Sequence, residues 1–413
     1  MSRLLYSLML YLLLPWALLH LVLRARKQPA YLQHVGERFG VFSHAVPTSV
    51  IWIHAVSVGE TRAAEPLIKA LRAQHPENRI LLSHGTPTGR QTGVDLYGDS
   101  VDRCYLPYDF GWASSDFLRR FDPVVGIFME TEIWPNLIES SKRSAVPVYL
   151  VNARMSEKSA RGYRRMGRLT RRTLSQLAGI GAQTDRDAQR LGELGAKNVS
   201  VTGNIKFDRV APAEMLALGA VLRNLFGARP VFLAASTREG EETMILDALA
   251  KAATPELLTI IVPRHPQRFD EVASLIRQRG HQFQLRSENR PIETQTRIVL
   301  GDSMGEMFAY YAACDIAFIG GSLLPLGGQN LLEACAVGVP VIVGPHTFNF
   351  EEATRGAIEA GAAKRVSDVA ELGRSIDSLL RDPELRRAMS QAGKRFTDAH
   401  RGATQRTLEL LKW

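Results

Sequence analysis

The chain opens on one long apolar stretch and then alternates short apolar runs with amphipathic segments. From Leu4 to Leu23 it reads LLYSLMLYLLLPWALLHLVL, without Asp, Glu, Lys or Arg. At ~1.5 Å per residue a helix of that length covers about 30 Å, the thickness of a bilayer's hydrocarbon layer. Pro15 can kink such a helix without forbidding it. Arg24, Arg26 and Lys27 follow at once, against Arg3 and the amino terminus on the other side. That bias puts the bulk of the chain in the cytoplasm. A cleaved secretory signal would carry its charges before a shorter apolar region and a small-x-small site after it, and LVLRARK offers none. Length favours a helix that spans the membrane over one that lies in its surface.

Beyond this anchor, SVIWIHAV (49–56) is a β-branched and aromatic run that reads as a buried strand. SVGETRAAEPLIKALRAQ then sets apolar residues at helical spacing behind a glycine-led turn. RILLSHGT, VVGIFME, VPVYLVN, GIGAQT and VSVTGN repeat the alternation. Around Lys206–Arg229 the strand pattern lapses into a helix rich in Ala and Leu. A second series follows: PVFLAAS, LLTIIVPRH, HQFQL, RIVLGD, IAFIGG and VPVIVGP. Strands alternating with helices mean parallel sheets covered on both faces. The expectation is an α/β protein of two doubly wound, Rossmann-like domains behind a membrane-anchor helix. Its parts are an anchor at 1–27, a first domain at 28–206, a connector at 207–229, a second domain at 230–388, and a helix at 389–413 packing back toward the first domain. In such sheets ligands sit beyond the carboxyl ends of the strands, and the cleft between two such domains is the expected active site.

A length of 413 residues also points to two domains. The composition, 45% hydrophobic and 23% charged, is that of a globular protein. Cys104, Cys314 and Cys335 are too scattered for a disulfide framework or a zinc site, which fits a reducing compartment. A formal net charge of +9 implies anionic partners, which leaves nucleic acid, acidic lipid and acidic substrates open. Much of it lies in Arg154–Arg172, where Arg154, Lys158, Arg161, Arg164, Arg165, Arg168, Arg171 and Arg172 face one acid, Glu157. On a helix beside a membrane anchor these suit anionic headgroups or a phosphorylated lipid. A nucleic-acid surface or a solvated face is the alternative.

Candidate chemistry falls at strand ends. Glu60, in HAVSVGE, opens a helix behind a glycine, where a carboxylate can serve as general base or simply complement the helix dipole. Glu130 and Glu132, in METEIWPN, follow another strand; on an extended segment they point opposite ways, so one at best faces a cleft. The other reading is a polar strand cap. Lys206, in GNIKFD, can stabilise negative charge or be an ordinary hinge residue. In the second series, AASTREGEE offers backbone N–H groups to a phosphate. VPRH brings Arg264 and His265, and GDSMGEM puts Met304, Gly305 and Glu306 on a loop opening a helix. GGSLLPLGGQNLLEACAVGVPVIVGP (320–345) has paired glycines at a strand end and a second GG turn. In it Asn330 starts a helix that carries Glu333 and ends at Gly338. Glycines let backbone approach phosphates closely, and a glutamate one turn inside a helix can accept both ribose hydroxyls. A literal D-x-D, Asp185-Arg186-Asp187, reads better as a helix cap than as a metal site.

Taken in order, the anchor, ERFG, HAVSVGE, METEIWPN, NARMSEKS, GNIKFD, VPRHPQRF and GGSLLPLGGQNLLEA resemble the Kdo transferases of lipopolysaccharide synthesis, Kdo being 3-deoxy-D-manno-octulosonic acid. These are inverting glycosyltransferases with two Rossmann-like domains of GT-B type, and the resemblance covers nearly the whole chain. It implies that Glu60 is the general base and that Glu130 and Lys206 are a supporting pair. It assigns the CMP part of a CMP-Kdo donor to Pro263, Arg264, Met304, Gly305, Glu306, Asn330, Leu331, Leu332 and Glu333. The acceptor would be a bis-phosphorylated lipid A precursor at the cytoplasmic face of a bacterial inner membrane, met by Arg154, Arg161, Arg164, Arg165 and Arg168. CMP leaves with one phosphate, so no metal or cofactor is expected, and no nucleic acid. The rivals are a sugar-nucleotide epimerase on the same fold and a non-catalytic tethered binder of anionic lipid; the first is at odds with the anchor, the second leaves Glu60 and the glycine-rich loop unexplained.

Overall fold

The computed structural model describes residues 1–42, 49–250, 254 and 256–413. The chain divides into two compact units, Met1–Asp208 with Arg401–Trp413, and Arg209–His400, each built on a seven-stranded sheet.

The first sheet comprises β1 (Ile51–His54), β2 (Ile80–His84), β3 (Asp102–Tyr105), β4 (Val125–Met129), β5 (Val148–Ala153), β6 (Gly179–Ala182) and β7 (Val199–Val201). All are parallel, in the order β3-β2-β1-β4-β5-β6-β7. The chain winds outward from β1 to one edge and from β4 to the other, so the strand order reverses between β1 and β4, where open sheets bind ligands. Side chains alternate between the faces of a strand. In β1, Trp52 joins Phe117, Phe121 and Phe128 in one core, while Ile51 and Ile53 join Leu67, Ile68 and Leu71 in another. Burial on both faces explains why these strands read as continuous apolar runs. Helix α1 (Arg3–Lys27) carries Pro15 inside it, and α2 (Val58–Ala63) follows β1. The carboxylate of Asp208 accepts from the backbone N–H of Gly402 at 2.7 Å and from that of Thr404, tying the point where the chain leaves this unit to the point where it returns.

The second sheet comprises β8 (Val231–Thr237), β9 (Leu258–Pro263), β10 (Phe283–Leu285), β11 (Ile298–Leu300), β12 (Ile316–Ile319), β13 (Val341–Val343) and β14 (Ala363–Arg365). It too is all parallel, in the order β10-β11-β9-β8-β12-β13-β14, and reverses between β8 and β12. Its core gathers Phe232, Ile261, Phe318, Ile342 and Leu372. Helix Ala213–Phe226, in the stretch expected to connect the domains, packs on helix Met307–Ala313 within this unit. Helix Pro383–His400 also stays with it, and the return to the first unit begins at Arg401.

Candidate active site

In the first unit the candidate residues collect at the carboxyl ends of β1, β4 and β5. Ser57 caps α2, and Glu60, three residues on, closes a capping box: the Ser57 backbone N–H donates to Glu60 Oε2 at 2.9 Å, and Ser57 Oγ accepts from the Glu60 N–H at 3.4 Å. The carboxylate is therefore fixed in direction by the helix it opens. Glu60 is 9% exposed. Burial, then the charges of Glu130 and Glu132, push its pKa up to about 7, against the opposing pull of the Ser57 N–H.

Both glutamates of METEIWPN thus raise the Glu60 pKa through their charge. β4 ends at Met129, so neither glutamate lies on the strand, and Glu130 takes a left-handed conformation, φ 60°, that turns the chain before Glu132. Such backbone in a non-glycine residue is strained and concentrates at functional sites. Glu130 Oε1 accepts from Lys206 Nζ at 2.8 Å, both side chains about four-fifths buried. Glu132 Oε2 accepts from Trp134 Nε1 at 2.8 Å and lies 3.7 Å from His54 Nε2. His54 Nδ1 in turn sits 2.9 Å from Ser83 Oγ. Asn152, fully buried at φ 51° near the end of β5, accepts from the Ile205 N–H at 3.0 Å and so fixes the turn that presents Lys206. His54, Ser83 and Asn152 were not singled out in the sequence. The signal for Asn152 was its place at a strand end in NARMSEKS, two strands from Glu60.

The arginine-rich segment is not one helix. Arg154 lies in the turn after β5, and the rest divides at Gly167, φ 47°, into helices Glu157–Met166 and Arg168–Leu174. Arg161 pairs with Glu157, and Arg164 with both Glu157 and Glu193. Arg165 and Arg168 are exposed and make no ion pair among the described residues. Asp187 of the D-x-D is buried, accepting from the Met155 N–H at 2.7 Å and from Thr184 Oγ1 at 2.6 Å, while Thr184 caps the helix. The motif is a cap.

In the second unit the candidates ring the carboxyl ends of β8, β9, β11 and β12. The turn after β12 is so tight that a Cβ on Gly320 would stand 2.5 Å from the Ser236 carbonyl oxygen. Glu241, fully buried, holds this turn: its carboxylate accepts from the backbone N–H of Gly321 at 2.5 Å, Leu323 at 3.0 Å and Arg238 at 3.0 Å. Gly327 and Gly328 both take positive φ, as a GG turn requires. Beyond it, Asn330 Oδ1 accepts from the Leu332 N–H, and Asn330 Nδ2 donates to Glu333 Oε1 at 3.1 Å. Glu333 also pairs with Arg209. Leu331, Leu332 and Pro263 are buried. Arg264 Nε donates to Gln329 Oε1 at 3.3 Å. Burial, then the cations Arg264, Arg238 and Arg268, lower the pKa of His265. Met304 is half exposed, Gly305 has φ 84°, and Glu306 accepts from Ser303 Oγ at 2.6 Å and pairs with Arg286 at 3.3 Å.

Residues 33–209 match the family model described as 3-deoxy-D-manno-octulosonic-acid transferase (kdotransferase), and residues 231–396 match that of glycosyl transferases group 1. A 3-deoxy-D-manno-octulosonic acid transferase of Bordetella pertussis is 44% identical over 100% of this chain and 99% of its own length. One of Haemophilus influenzae is 39% identical over 100% and 98%. Among solved structures, the UDP-GlcNAc 2-epimerase of Neisseria meningitidis superposes with a TM-score of 0.56 at 15% identity, covering 88% of this chain and 99% of that one, a likeness of fold.

Proposed function

The chain belongs to the 3-deoxy-D-manno-octulosonic acid transferases, and on that premise we propose that it moves Kdo from CMP-Kdo onto a hydroxyl of a lipid A precursor, with inversion, at the cytoplasmic surface of the inner membrane. Glu60 carries the reading. A carboxylate with pKa near 7 is matched to taking a hydroxyl proton at neutral pH, and the capping box aims it without neutralising it. The acceptor oxygen gives its proton to Glu60 and forms the bond to the anomeric carbon. The bond from that carbon to the phosphate oxygen breaks, and CMP departs with the electron pair. One displacement inverts the centre. Glu130 and Lys206 hold a charge pair beside the base, which keeps Glu60 basic while limiting the local negative charge.

In the second unit, Arg264 and the turn at 320–323 are proposed to take the single phosphate, with Asn330 and Glu333 on the ribose and Met304, Gly305 and Glu306 beside the base. Arg165 and Arg168, exposed and without an ion pair among the described residues, are proposed to meet the acceptor's phosphates or the headgroups around it. The test is Glu60→Gln, which keeps an acceptor for the Ser57 N–H. Transfer, followed by mass spectrometry of the product from CMP-Kdo and lipid A precursor, is expected to fall by 10²-fold or more. CMP affinity is expected to stay unchanged. Retained turnover would remove Glu60 from the mechanism.

A further inference from the structure

Helix α1 does not leave the first unit; it is fastened along it. Its covered positions recur as Ser7, Leu10, Leu14, Ala17, Leu21 and Ala25, all half-buried or buried. Its bare ones recur as Leu5, Leu8, Leu12, Trp16, Leu19 and Leu23, between 45% and 74% exposed. At ~100° per residue these two stripes lie about 180° apart. The covered stripe starts on polar contacts. Tyr6 donates from its hydroxyl to Asp109 Oδ2 at 2.9 Å, and Ser7 Oγ meets the Asn136 side chain at 3.0–3.1 Å. The amino terminus donates to the Met166 carbonyl at 3.1 Å, and Tyr11 packs on Phe110 with ring centroids 5.0 Å apart.

A helix that crossed a bilayer would have to surrender this whole seam, or drag it into hydrocarbon. Asp109 is 3% exposed and already holds the Asn136 and Leu137 N–H groups that open helix Pro135–Arg143. Losing Tyr6 while that carboxylate entered lipid would cost far more than losing one hydrogen bond in water. Lying flat, α1 keeps every polar contact and spends only its bare apolar stripe on the acyl region.

We propose that α1 is an in-plane membrane helix, docked on the first unit, that rests its Leu12–Trp16 face in an anionic bilayer surface without crossing it. Charge supports that occupant: the amino terminus is seated at Met166, next to Arg165 and Arg168, exposed and without an ion pair among the described residues. At the far end Arg24 and Arg26 are exposed as well. The docked end of α1 bears on Asn136, the last residue of METEIWPN, so the membrane plane is registered against the strand end that presents Glu130. The inference rests on the membrane attachment proposed above and not on the transfer chemistry, so binding and labelling test it without an activity assay.

In sealed right-side-out membrane vesicles carrying the full chain, Ser2→Cys is expected to stay unlabelled by an impermeant maleimide and to label in inside-out vesicles, the unsubstituted chain serving as control. Labelling from the outer face would mean that α1 spans, and overturns the proposal. A Ser7→Cys/Asn136→Cys pair is expected to form a disulfide in those membranes; its absence in a chain that folds overturns the docking. Purified full chain is expected to float with phosphatidylglycerol vesicles, and Leu12→Asp with Trp16→Asp to reduce the floated fraction at least tenfold. Undiminished flotation would exclude the apolar stripe. Self-crosslinking of Leu12→Cys into dimers in place of lipid insertion would name a second copy as the occupant and refute a bilayer.

Discussion

Glu60 is held between two demands. As a helix cap it should be ionised, and as a buried group among acids it should be protonated; its pKa near 7 is the compromise. The base role proposed for Glu60 needs the ionised form, so on that proposal kcat/KM is expected to rise with unit slope below about pH 7 and to level above it. Stability runs the other way. The folded pKa lies above the unfolded 4.5, so the folded state holds its proton more tightly, and the contribution is full below about pH 4.5 and lost as pH rises through 7. That difference amounts to at most roughly 3 kcal/mol. Glu60→Gln should therefore melt higher than the parent at pH 8 and no higher at pH 4, which calorimetry at the two pH values checks; equal shifts at both would mean that the carboxylate carries no burial cost. Lys206→Ala, by leaving Glu130 without its cation, is expected to move the rising limb of the pH–rate profile to higher pH. Glu60, Glu130 and Lys206 could be named as candidates because they stand past strand ends in a repeating pattern. His54, Ser83 and Asn152 were not, because their importance lies in whom they touch across the sheet, and a contact between β1 and β2 leaves no mark on local periodicity.

At the scale of elements, the turn after β12 depends on one carboxylate. Three backbone N–H groups, those of Arg238, Gly321 and Leu323, end on buried Glu241. Truncation would strand all three, and buried donors without partners cost about 1–3 kcal/mol each, with poor additivity. Glu241→Ala is expected to destabilise the second unit by at least ~2 kcal/mol and to weaken CMP binding, whereas Glu241→Gln should retain part of both; calorimetry and CMP titration on each variant decide this. The helix opening at Glu241 was readable from AASTREGEE, but the carboxylate's reach to Gly321 was not, since those residues are joined only by the β8–β12 pairing. Twelve of the strands declared themselves as apolar runs; β3 (DRCY) and β14 (AKR) did not. Both are edge strands carrying charge, which is how sheets protect their edges and also what erases the hydrophobic signal. METEIWPN likewise leaves its strand after Met129, and the left-handed turn at Glu130 left no mark on the residue pattern.

For the whole molecule, the two sheets have separate cores, and every residue proposed to hold CMP lies in the second unit. A ligand stabilises only the state that binds it, by about 2.7 kcal/mol when present at 100 times its Kd. If the units unfold as independent cooperative blocks, thermal unfolding is not two-state, and CMP should raise one transition while leaving the other in place. The unmoved transition is assigned to the first unit by Trp52→Phe: Trp52 is fully buried in that core, so a poorly filled site lowers its melting alone. Glu241→Ala should lower only the transition that CMP raises. Should CMP shift both transitions equally, the blocks are coupled on binding, and the second unit's nucleotide would be felt by the core beneath Glu60. Either result decides whether nucleotide bound in the second unit changes the stability of the first, because independent blocks keep the effect where CMP binds, whereas coupled blocks pass it on.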